Sequence, residues 1–337
     1  MRALVNDAVR QAVVAPPSPD ALAYHRALAG YRPTPIRDLA HVAEELGLAF
    51  VGMKDESSRL GLPAFKVLGA SWATERILES RPEVRTLVAA SAGNHGRAVA
   101  HVAALRGLRC RIFLPARASG VRRAAIEAEG AEVIVVEGDY EDAVAAASAA
   151  GAEEGVVEIA DVGTSAGARW VIDGYATLFA EVSAQGRFDV LVVPIGVGSL
   201  GAAAARYAAS TGAKLVGVEP VTAACLTASL AAGTPTSVAT PGTTMAGLDC
   251  AEISATAWPT LRDGVHGTVT VSDGEVEAAV RSLADHGFAI GESGAAPLAA
   301  LRALAAEEEC AALRGVIGLG RRARVLLVAT EGPTGVS

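Results

Sequence analysis

Aromatic residues are scarce in this sequence, at 4% of 337 residues, although 51% of the residues are hydrophobic. The core must therefore be built from alanine, valine, leucine and isoleucine, which suits layers of helices packed on a largely parallel sheet. The cysteines, Cys110, Cys225, Cys250 and Cys310, lie far apart and form no C-x-x-C pair. This spacing indicates reduced thiols in a cytoplasmic protein, rather than a disulfide framework or a zinc site.

Positive charge is also scarce, and the formal net charge is −8. Because no block of basic residues stands out, nucleic acid is not an expected partner. No apolar run is long enough to cross a bilayer, and the first residues, Met1–Asp7, lack the uninterrupted apolar stretch of a signal peptide. We therefore expect a cytoplasmic enzyme that needs neither a membrane partner nor a metal ion.

Short apolar runs alternate with helical segments from about Thr86 to the end of the chain. This alternation predicts right-handed βαβ units and parallel sheets. A capping box at Ser272 to Glu275 predicts the start of a helix that reaches His286. The predicted strands are Leu87–Ala90, Cys110–Leu114, Glu132–Val136, Val156–Ile159, Val190–Pro194, Lys214–Glu219 and Arg324–Ala329.

The first eighty residues do not fit inside the block that runs from Arg81 to Trp170, so we expect this block to be inserted into a larger domain. The predicted large, cofactor-binding domain is discontinuous and consists of residues 1–80 and 171–337. Residues 81–170 form the predicted small α/β domain. Each domain is expected to hold an open, twisted, mostly parallel sheet with flanking helices, and a cleft between them is the expected place for a cofactor.

Lys66 lies between an aromatic residue and two aliphatic residues, at the point where a loop becomes a helix. Burial at such a point favours the neutral form of an amine, because it disfavours the charged form. A neutral amine can form a Schiff base with a carbonyl cofactor. Taken alone, the position of Lys66 is equally consistent with an ordinary surface lysine whose aliphatic stem lies along apolar neighbours.

The segment Gly196-Val197-Gly198-Ser199-Leu200-Gly201 follows a predicted strand and opens a predicted helix. Its glycines let main-chain N–H groups approach an anion closely, and the helix N terminus adds a favourable dipole, so the segment predicts a phosphate site. The same segment matches G-x-G-x-x-G, with Glu219 near the end of the next strand, as in a nicotinamide dinucleotide site. A plain strand-to-helix turn is a third interpretation.

Two further segments carry groups that suit a ligand. In Ser91-Ala92-Gly93-Asn94-His95-Gly96, the main-chain N–H groups and the Ser91 hydroxyl can bind a carboxylate, and Asn94 can donate to a phenolic oxygen. His95 is expected to be a structural hydrogen-bonding residue rather than a proton carrier. Thr330 follows the last strand, where open α/β sheets bind ligands. Each segment alone is explained equally well as a helix cap or a turn.

Taken together, these segments resemble the diaminopropionate ammonia-lyase family, pyridoxal-phosphate-dependent enzymes of the tryptophan-synthase-β fold (fold type II). The similarity runs from about Tyr31 to Gly332. The segments that carry it are Tyr31-Arg32-Pro33-Thr34-Pro35, Lys54-Asp55-Glu56-Ser57, Ala64-Phe65-Lys66, Gly93-Asn94-His95-Gly96-Arg97, Asp173-Gly174-Tyr175-Ala176-Thr177-Leu178, Met245-Ala246-Gly247-Leu248, Gly291-Glu292-Ser293-Gly294-Ala295 and Thr330-Glu331-Gly332.

This resemblance implies that pyridoxal 5′-phosphate is the cofactor and that Lys66 carries it as a Schiff base. It implies that Asn94 contacts the ring oxygen, that Thr330 faces the ring nitrogen and that the protein is a homodimer. The expected cofactor-binding residues are Phe65, Lys66, Asn94, Gly196, Val197, Gly198, Ser199, Leu200 and Thr330. The expected substrate-binding residues are Ser91, Ala92, Gly93 and His95, and the expected catalytic residues are Lys66 and Asp161.

The activity that the resemblance implies is the α,β-elimination of ammonia from a small L-amino acid such as L-2,3-diaminopropionate, giving pyruvate and ammonia by way of aminoacrylate. Ala92 departs from the family, because members that act on both enantiomers carry an aspartate directly before Gly-Asn-His-Gly. We therefore expect the D-isomer not to react. The alternatives are a serine/threonine dehydratase or a β-replacing synthase of the same fold, a silent binding protein and, more distantly, an NAD-dependent oxidoreductase.

Overall fold

The computed structural model describes residues 1–160 and 166–333. These residues form two compact units, the first made of Met1–Phe65 with the chain from Tyr175 onward, and the second made of Lys66–Gly174. Each unit is built around its own sheet, in which most strands run parallel. The predicted α/β class, with two mostly parallel sheets flanked by helices, is therefore confirmed.

Most of the predicted strands and helices recur in the structure, and the strands Glu132–Val136, Val190–Pro194 and Arg324–Ala329 recur residue for residue. The strands of the described residues are β1 (Ala3–Val5), β2 (Ile36–Asp38), β3 (Phe50–Asp55), β4 (Thr86–Ala90), β5 (Arg109–Pro115), β6 (Glu132–Val136), β7 (Val156–Glu158), β8 (Val190–Pro194), β9 (Lys214–Pro220), β10 (Gly267–Val271) and β11 (Arg324–Ala329). Their α-helices are α1 (Asp20–Ala27), α2 (Ala40–Leu46), α3 (Val67–Ser80), α4 (Asn94–Leu105), α5 (Gly120–Glu127), α6 (Tyr140–Gly151), α7 (Ala166–Gln185), α8 (Ser199–Thr211), α9 (Cys225–Ala232), α10 (Trp258–Gly264), α11 (Asp273–Asp285), α12 (Glu292–Ala306) and α13 (Ala311–Val316).

The first unit holds a seven-stranded sheet in the order β1-β10-β9-β8-β11-β3-β2. The five inner strands are parallel, whereas β1 and β2 pair antiparallel at the two edges. Val192, Val216 and Leu327 belong to a core cluster on one face, together with residues of α11 and α12. The inner strands are buried on both faces, which is why the sequence shows several of them as nearly continuous apolar runs.

The second unit holds a four-stranded parallel sheet in the order β6-β5-β4-β7. Its core includes Val88, Phe113 and Ala147. Helix α3 packs on α4 and therefore belongs to this unit. The compact units accordingly change at Lys66 and Tyr175, whereas the domain boundaries predicted from the sequence lie after residues 80 and 170.

Four charged side chains are buried together in the first unit: Lys54, Glu56, Arg59 and Glu181. We call them the buried ion network. The Lys54 Nζ lies 2.7 Å from the Glu181 Oε2, and the Arg59 Nη1 lies 2.7 Å from the Glu181 Oε1. The Arg59 Nε donates to the Glu56 Oε2 at 2.8 Å. Because two positive charges face two negative charges, the network is electrically balanced, and removal of one member leaves an uncompensated buried charge.

The acidic members make this part of the fold sensitive to pH. Burial by itself would raise the pKa of the Glu181 carboxyl, but the hydrogen bonds and charges of Arg59 and Lys54 outweigh burial and lower this pKa below its ordinary value. A carboxyl with a lowered pKa in the folded protein stabilises the fold above its unfolded pKa. This stabilisation is lost as the pH falls through the folded pKa.

We predict that Glu181→Gln lowers the free energy of unfolding by about 3–5 kcal/mol at neutral pH, because it leaves a buried positive charge unbalanced. Urea denaturation measures this change. The control is Glu277→Gln, which breaks an exposed pair with Arg281 and should cost about 0–1 kcal/mol. The difference between wild type and Glu181→Gln should shrink as the pH is lowered. Equal effects of the two substitutions would contradict the importance of the network.

Candidate active site

The phosphate loop, defined as Gly196–Leu200, connects β8 to α8 at the carboxyl edge of the seven-stranded sheet. Gly198 is the N-cap of α8 and has a φ of +97°, a left-handed conformation that other residues rarely adopt. The first N–H groups of an α-helix have no acceptor within the helix and point out of its N terminus. Together with the helix dipole, they make the phosphate loop suited to an anion.

Gly196 must be glycine because a distant part of the main chain lies against it. A Cβ atom at this position would lie 2.6 Å from the Gly247 carbonyl oxygen. The Gly247 N–H in turn donates to the Ser293 Oγ at 3.1 Å, and Ser293 lies in the first turn of α12. Three segments that are far apart in the sequence therefore meet here, namely the phosphate loop, Met245–Leu248 and Gly291–Gly294.

Main-chain contacts hold the residues after β11 at the same edge. The Gly291 N–H donates to the Glu331 carbonyl oxygen at 3.1 Å, and a Cβ atom at Gly291 would lie 2.5 Å from the Gly332 carbonyl oxygen. Thr330 follows the last residue of β11 and is only 5% exposed. Since β8 and β11 are adjacent parallel strands, the phosphate loop and Thr330 lie at one edge of the sheet, where open α/β sheets bind ligands.

The chain that leads into Lys66 is fixed to the end of β11. The Phe65 N–H donates to the Thr330 carbonyl oxygen at 3.3 Å, and the Phe65 ring packs against Tyr175 with the ring centroids 4.7 Å apart. Lys66 is the next residue, is half-buried and is the N-cap of α3. In the second unit, a Cβ atom at Gly174 would lie 2.5 Å from the Leu68 carbonyl oxygen, so glycine there lets α7 pack closely on the first turn of α3.

Lysine occurs at three positions in the sequence, Lys54, Lys66 and Lys214. The Lys54 ammonium is bound within the buried ion network, where it also donates to the Thr34 carbonyl oxygen at 2.7 Å. Lys214 is the first residue of β9 and lies at the amino edge of the sheet, away from the phosphate loop. Lys66 is therefore the lysine that directly follows a segment pinned beside Thr330, which suits a role as the carbonyl-binding amine.

In the second unit, the loop after β4 folds back onto the start of α4. The Ser91 Oγ accepts a hydrogen bond from the Gly93 N–H at 3.3 Å, and a Cβ atom at Gly96 would collide with the Ser91 carbonyl group. Gly93 is the N-cap of α4, and Asn94 is its first residue. Ala92 is half-buried and brings no ionisable group. The loop thus offers main-chain N–H groups and one hydroxyl, which suit a carboxylate.

Lys66 and Asn94 lie at corresponding ends of two packed helices. Lys66 precedes α3 and Asn94 begins α4, and these two helices are in contact. Arg106, the C-cap of α4, forms an ion pair with Glu75 in the second half of α3. This pair joins the C-terminal parts of the two helices, so their N termini, with Lys66 and Asn94, lie at the opposite end.

His95 and Asp161 differ in how far the structure describes them. His95 is 5% exposed, and its Nε2 donates to the Ile159 carbonyl oxygen at 2.7 Å, which supports the predicted structural role. Asp161, the predicted second catalytic residue, lies outside the described residues.

Among residues 1–160 and 166–333, no group of three histidine, cysteine, aspartate or glutamate side chains could hold a metal ion. Within the same ranges, every helix is too short or too polar to span a membrane.

The contacts of Glu219 distinguish between a simple phosphate group and a nicotinamide dinucleotide as the ligand of the phosphate loop. Its carboxylate is fully buried and accepts hydrogen bonds from the Leu226 N–H at 2.6 Å and from the Thr227 N–H at 2.8 Å. Burial raises the pKa of this carboxyl to about 7, and the hydrogen bonds oppose that rise. Glu219 therefore caps the N terminus of α9 and does not face a ribose. It cannot serve as the ribose-binding acidic residue that the nicotinamide dinucleotide interpretation requires.

A family comparison agrees with this geometry. Residues 27–320 match the family described as "Pyridoxal-phosphate dependent enzyme", which is well over half of the chain. The chain belongs to this family. Its cofactor is accordingly pyridoxal 5′-phosphate, and the predicted NAD-dependent alternative is wrong.

Several members of the pyridoxal-phosphate-dependent family are similar to this chain over almost its whole length. Diaminopropionate ammonia-lyase of Salmonella typhimurium is 32% identical over 94% of this chain and 89% of its own length. The crystal structure of the Escherichia coli diaminopropionate ammonia lyase, in complex with an aminoacrylate-PLP azomethine reaction intermediate, is 28% identical, with a TM-score of 0.89 over 99% of this chain and 94% of that chain. A threonine deaminase structure from T.th. is 27% identical, with a TM-score of 0.79 over 95% of this chain and all of that chain. These similarities confirm the predicted tryptophan-synthase-β-like fold.

The residues of the candidate active site fit a pyridoxal phosphate group. Its phosphate needs converging N–H donors and a close main-chain approach, and the phosphate loop supplies both through Gly196, Gly198 and the start of α8. Thr330, which lies at the same edge of the sheet, would offer a neutral hydroxyl to the ring nitrogen of this group. Its aldehyde needs a lysine, and Lys66 follows the segment fixed to Thr330.

The buried ion network is not predicted from the sequence. Lys54 and Glu56 belong to a segment shared with the family, and no motif of the sequence marks Arg59 or Glu181. A signal was present, because Lys54, Glu56 and Arg59 bring charge into an apolar strand and its continuation. Their common partner, Glu181, lies far along the chain in α7, so the pairing could not be predicted from spacing.

We predict that Gly196→Ala weakens binding of pyridoxal phosphate by about tenfold or more, because the added Cβ atom would push Gly247 out of place. Titration of the apo-protein with the cofactor, followed by absorbance, measures the affinity. Gly274→Ala is the matched control, since a Cβ atom at Gly274 in α11 would meet no atom within 4 Å. Unchanged affinity in Gly196→Ala would contradict the assignment of the phosphate loop.

Proposed function

We propose that this enzyme removes ammonia from L-2,3-diaminopropionate by α,β-elimination. The aminoacrylate that leaves is hydrolysed by water to pyruvate with loss of the second amino group as ammonia. The observation that carries this proposal is the end-to-end similarity to diaminopropionate ammonia-lyase, which spans 94% of this chain and 89% of the Salmonella typhimurium protein. The convergence of the phosphate loop, Thr330 and the segment before Lys66 supplies the corresponding site.

The proposed cofactor-binding residues are Phe65, Lys66, Asn94, Gly196, Val197, Gly198, Ser199, Leu200 and Thr330. When bound, the cofactor supplies an electron sink for negative charge that develops at the substrate Cα. Lys66 would hold the cofactor through its amine and, when that amine is free, would take up the Cα proton of the substrate. Thr330 would offer the ring nitrogen a neutral hydroxyl. Such a partner would limit the charge that the ring accumulates and would favour prompt loss of the β substituent.

The proposed substrate-binding residues are Ser91, Ala92, Gly93 and His95. The loop at the start of α4 receives the substrate carboxylate through main-chain N–H groups and the Ser91 hydroxyl. His95 supports the loop through its hydrogen bond to Ile159. Ammonia leaves readily only when it is protonated, so the reaction needs a general acid. Lys66 in its protonated form and Asp161 are the proposed candidates.

A serine/threonine dehydratase is the second candidate function. The segment Ser91-Ala92-Gly93-Asn94-His95 resembles the corresponding loop of serine/threonine dehydratases, and the T.th. threonine deaminase has the same fold as this chain. Both reactions begin with removal of the Cα proton and differ in the group that leaves from the β carbon. A β-replacing synthase would use the same first half-reaction. A panel of small L-amino acids with product analysis separates these activities.

We propose a homodimer in the cytoplasm. The dimer rests on the family resemblance, and the location rests on cysteines that lie far apart in the sequence and form no C-x-x-C pair. Light scattering on the purified protein tests the dimer. A monomer that remains fully active would contradict it.

We predict that borohydride reduction of the holoenzyme fixes a cofactor-sized mass on Lys66 and leaves Lys54 and Lys214 unmodified. Peptide mass spectrometry locates the adduct. Lys66→Ala should lower turnover by more than about a thousandfold, because it removes both the attachment point and the base. Lys214→Arg is the control and should keep wild-type activity. An adduct on another lysine, or an active Lys66→Ala variant, would contradict the proposed role.

We predict that pyruvate is released from L-2,3-diaminopropionate but not from its D-isomer, because Ala92 cannot accept a proton. Coupled pyruvate detection with each pure enantiomer measures the two rates. L-serine and L-threonine, run in parallel, show whether ammonia or water is the preferred leaving group. Comparable rates with the two enantiomers would overturn the assignment of Lys66 as the sole base.

A further inference from the structure

The segment between β3 and Lys66 contains a strained turn. Leu60 has a φ of +50° and Gly61 a φ of +85°. The Arg59 N–H donates to the Leu62 carbonyl oxygen at 2.8 Å, and the Leu62 N–H donates back to the Arg59 carbonyl oxygen at 3.0 Å. These features define a type I′ turn over Arg59–Leu62.

Leu60 is an unusual residue for this position. Type I′ turns favour asparagine, aspartate or glycine at the first central position, because the left-handed conformation disfavours other side chains. Among the described residues, Leu60 is the one non-glycine residue with a positive φ. A strained residue persists only where its surroundings hold it, and such residues concentrate at functional sites. The structure must therefore contain something that holds this turn closed.

The Arg59 side chain supplies that restraint. It is 1% exposed, and each of its three nitrogens donates a hydrogen bond. The Nε donates to Glu56 at 2.8 Å, the Nη1 to Glu181 at 2.7 Å and the Nη2 to Thr34 at 2.9 Å. Both ends of the guanidinium fork are thus fixed by carboxylates, which lysine cannot reproduce with a single ammonium.

The chain after the turn is pinned at successive residues until Lys66. The Gly332 N–H donates to the Pro63 carbonyl oxygen at 3.0 Å, Ala64 forms an antiparallel bridge with Glu331, and the Phe65 N–H donates to Thr330. These three pinned residues are the whole connection between the end of the turn and Lys66. A change in the turn cannot be absorbed by slack in so short a segment, so it must shift Phe65 and the start of Lys66.

We infer that Arg59 is a positioning residue for Lys66. By holding Leu60 in its left-handed conformation, Arg59 sets the direction in which the main chain enters Lys66. This inference rests on the proposed role of Lys66 as the amine that binds pyridoxal phosphate. Misplacement of a reacting group by about 1 Å can reduce a rate by about a hundredfold, so a modest change in the turn has a large effect on the amine.

The first test compares Arg59→Lys with Arg2→Lys, because each of these arginines forms ion pairs with two glutamates. Arg2 is 12% exposed, bonds Glu275 and Glu307, and lies near β1 at the edge of the sheet. Both substitutions preserve charge and remove the planar fork. The readouts are the affinity and rate of Schiff-base formation by apo-protein with pyridoxal phosphate, the pH titration of Schiff-base absorbance, and the urea midpoint.

Arg59→Lys is expected to weaken Schiff-base formation by about tenfold or more and to shift its pH titration, whereas Arg2→Lys should stay within about twofold of wild type. Arg2→Lys should nevertheless lower the urea midpoint, which separates stability from positioning. Wild-type behaviour of a folded Arg59→Lys variant would overturn the inference. Equal losses of Schiff-base formation in the two variants would also overturn the inference, because they would show an effect of general destabilisation and not of Lys66 positioning.

The second test changes the turn without touching a charge, and it decides the matter if Arg59→Lys does not fold. Leu60→Val places a β-branched residue where φ is positive and should weaken Schiff-base formation by about fivefold or more. Leu60→Asn accepts the left-handed conformation and should match wild type. Equal behaviour of the two variants would contradict the inference. If wild-type protein itself forms no adduct on Lys66, the proposed function fails instead.

Discussion

Electrostatic balance inside the buried ion network is the constraint on which the first unit depends. Glu181 belongs to α7, Lys54 to β3, and Arg59 to the loop that follows β3. A buried charge that loses its partner costs several kcal/mol, so conformations that separate the helix, strand and loop are strongly disfavoured. The order of the segment that leads to Lys66 is thus enforced by charge pairing as well as by apolar packing.

The candidate active site uses main chain more than side chains. Gly196 lies against Gly247, and Gly291 lies against Gly332, at distances that leave no room for a Cβ atom. These contacts bring main-chain N–H groups and carbonyl groups from distant segments to one edge of the sheet. Because main chain varies little in chemistry, such a site can hold the same cofactor while neighbouring side chains select the leaving group.

The sequence predicted most strands that form continuous apolar runs. In β8 and β11 such a run reflects burial on both faces of the sheet, whereas β6 is an edge strand that keeps its apolar run although it is only partly buried. The sequence did not reveal β3 or β10. In β3, Lys54 is tolerated only because Glu181 faces it, and in β10 the buried threonines resemble an exposed face. Single motifs identified the phosphate loop, but their convergence depends on contacts such as Gly196 with Gly247, which no local pattern records.

Of the 29 basic residues in the lysine and arginine count, three are lysines. Guanidinium groups stay protonated and do not condense with aldehydes as amines do. One of the lysines is sealed inside the protein by paired charges. A reactive aldehyde in the surrounding solution therefore meets few side-chain amines on this protein, which limits how much of it can be lost to amines other than the proposed one on Lys66.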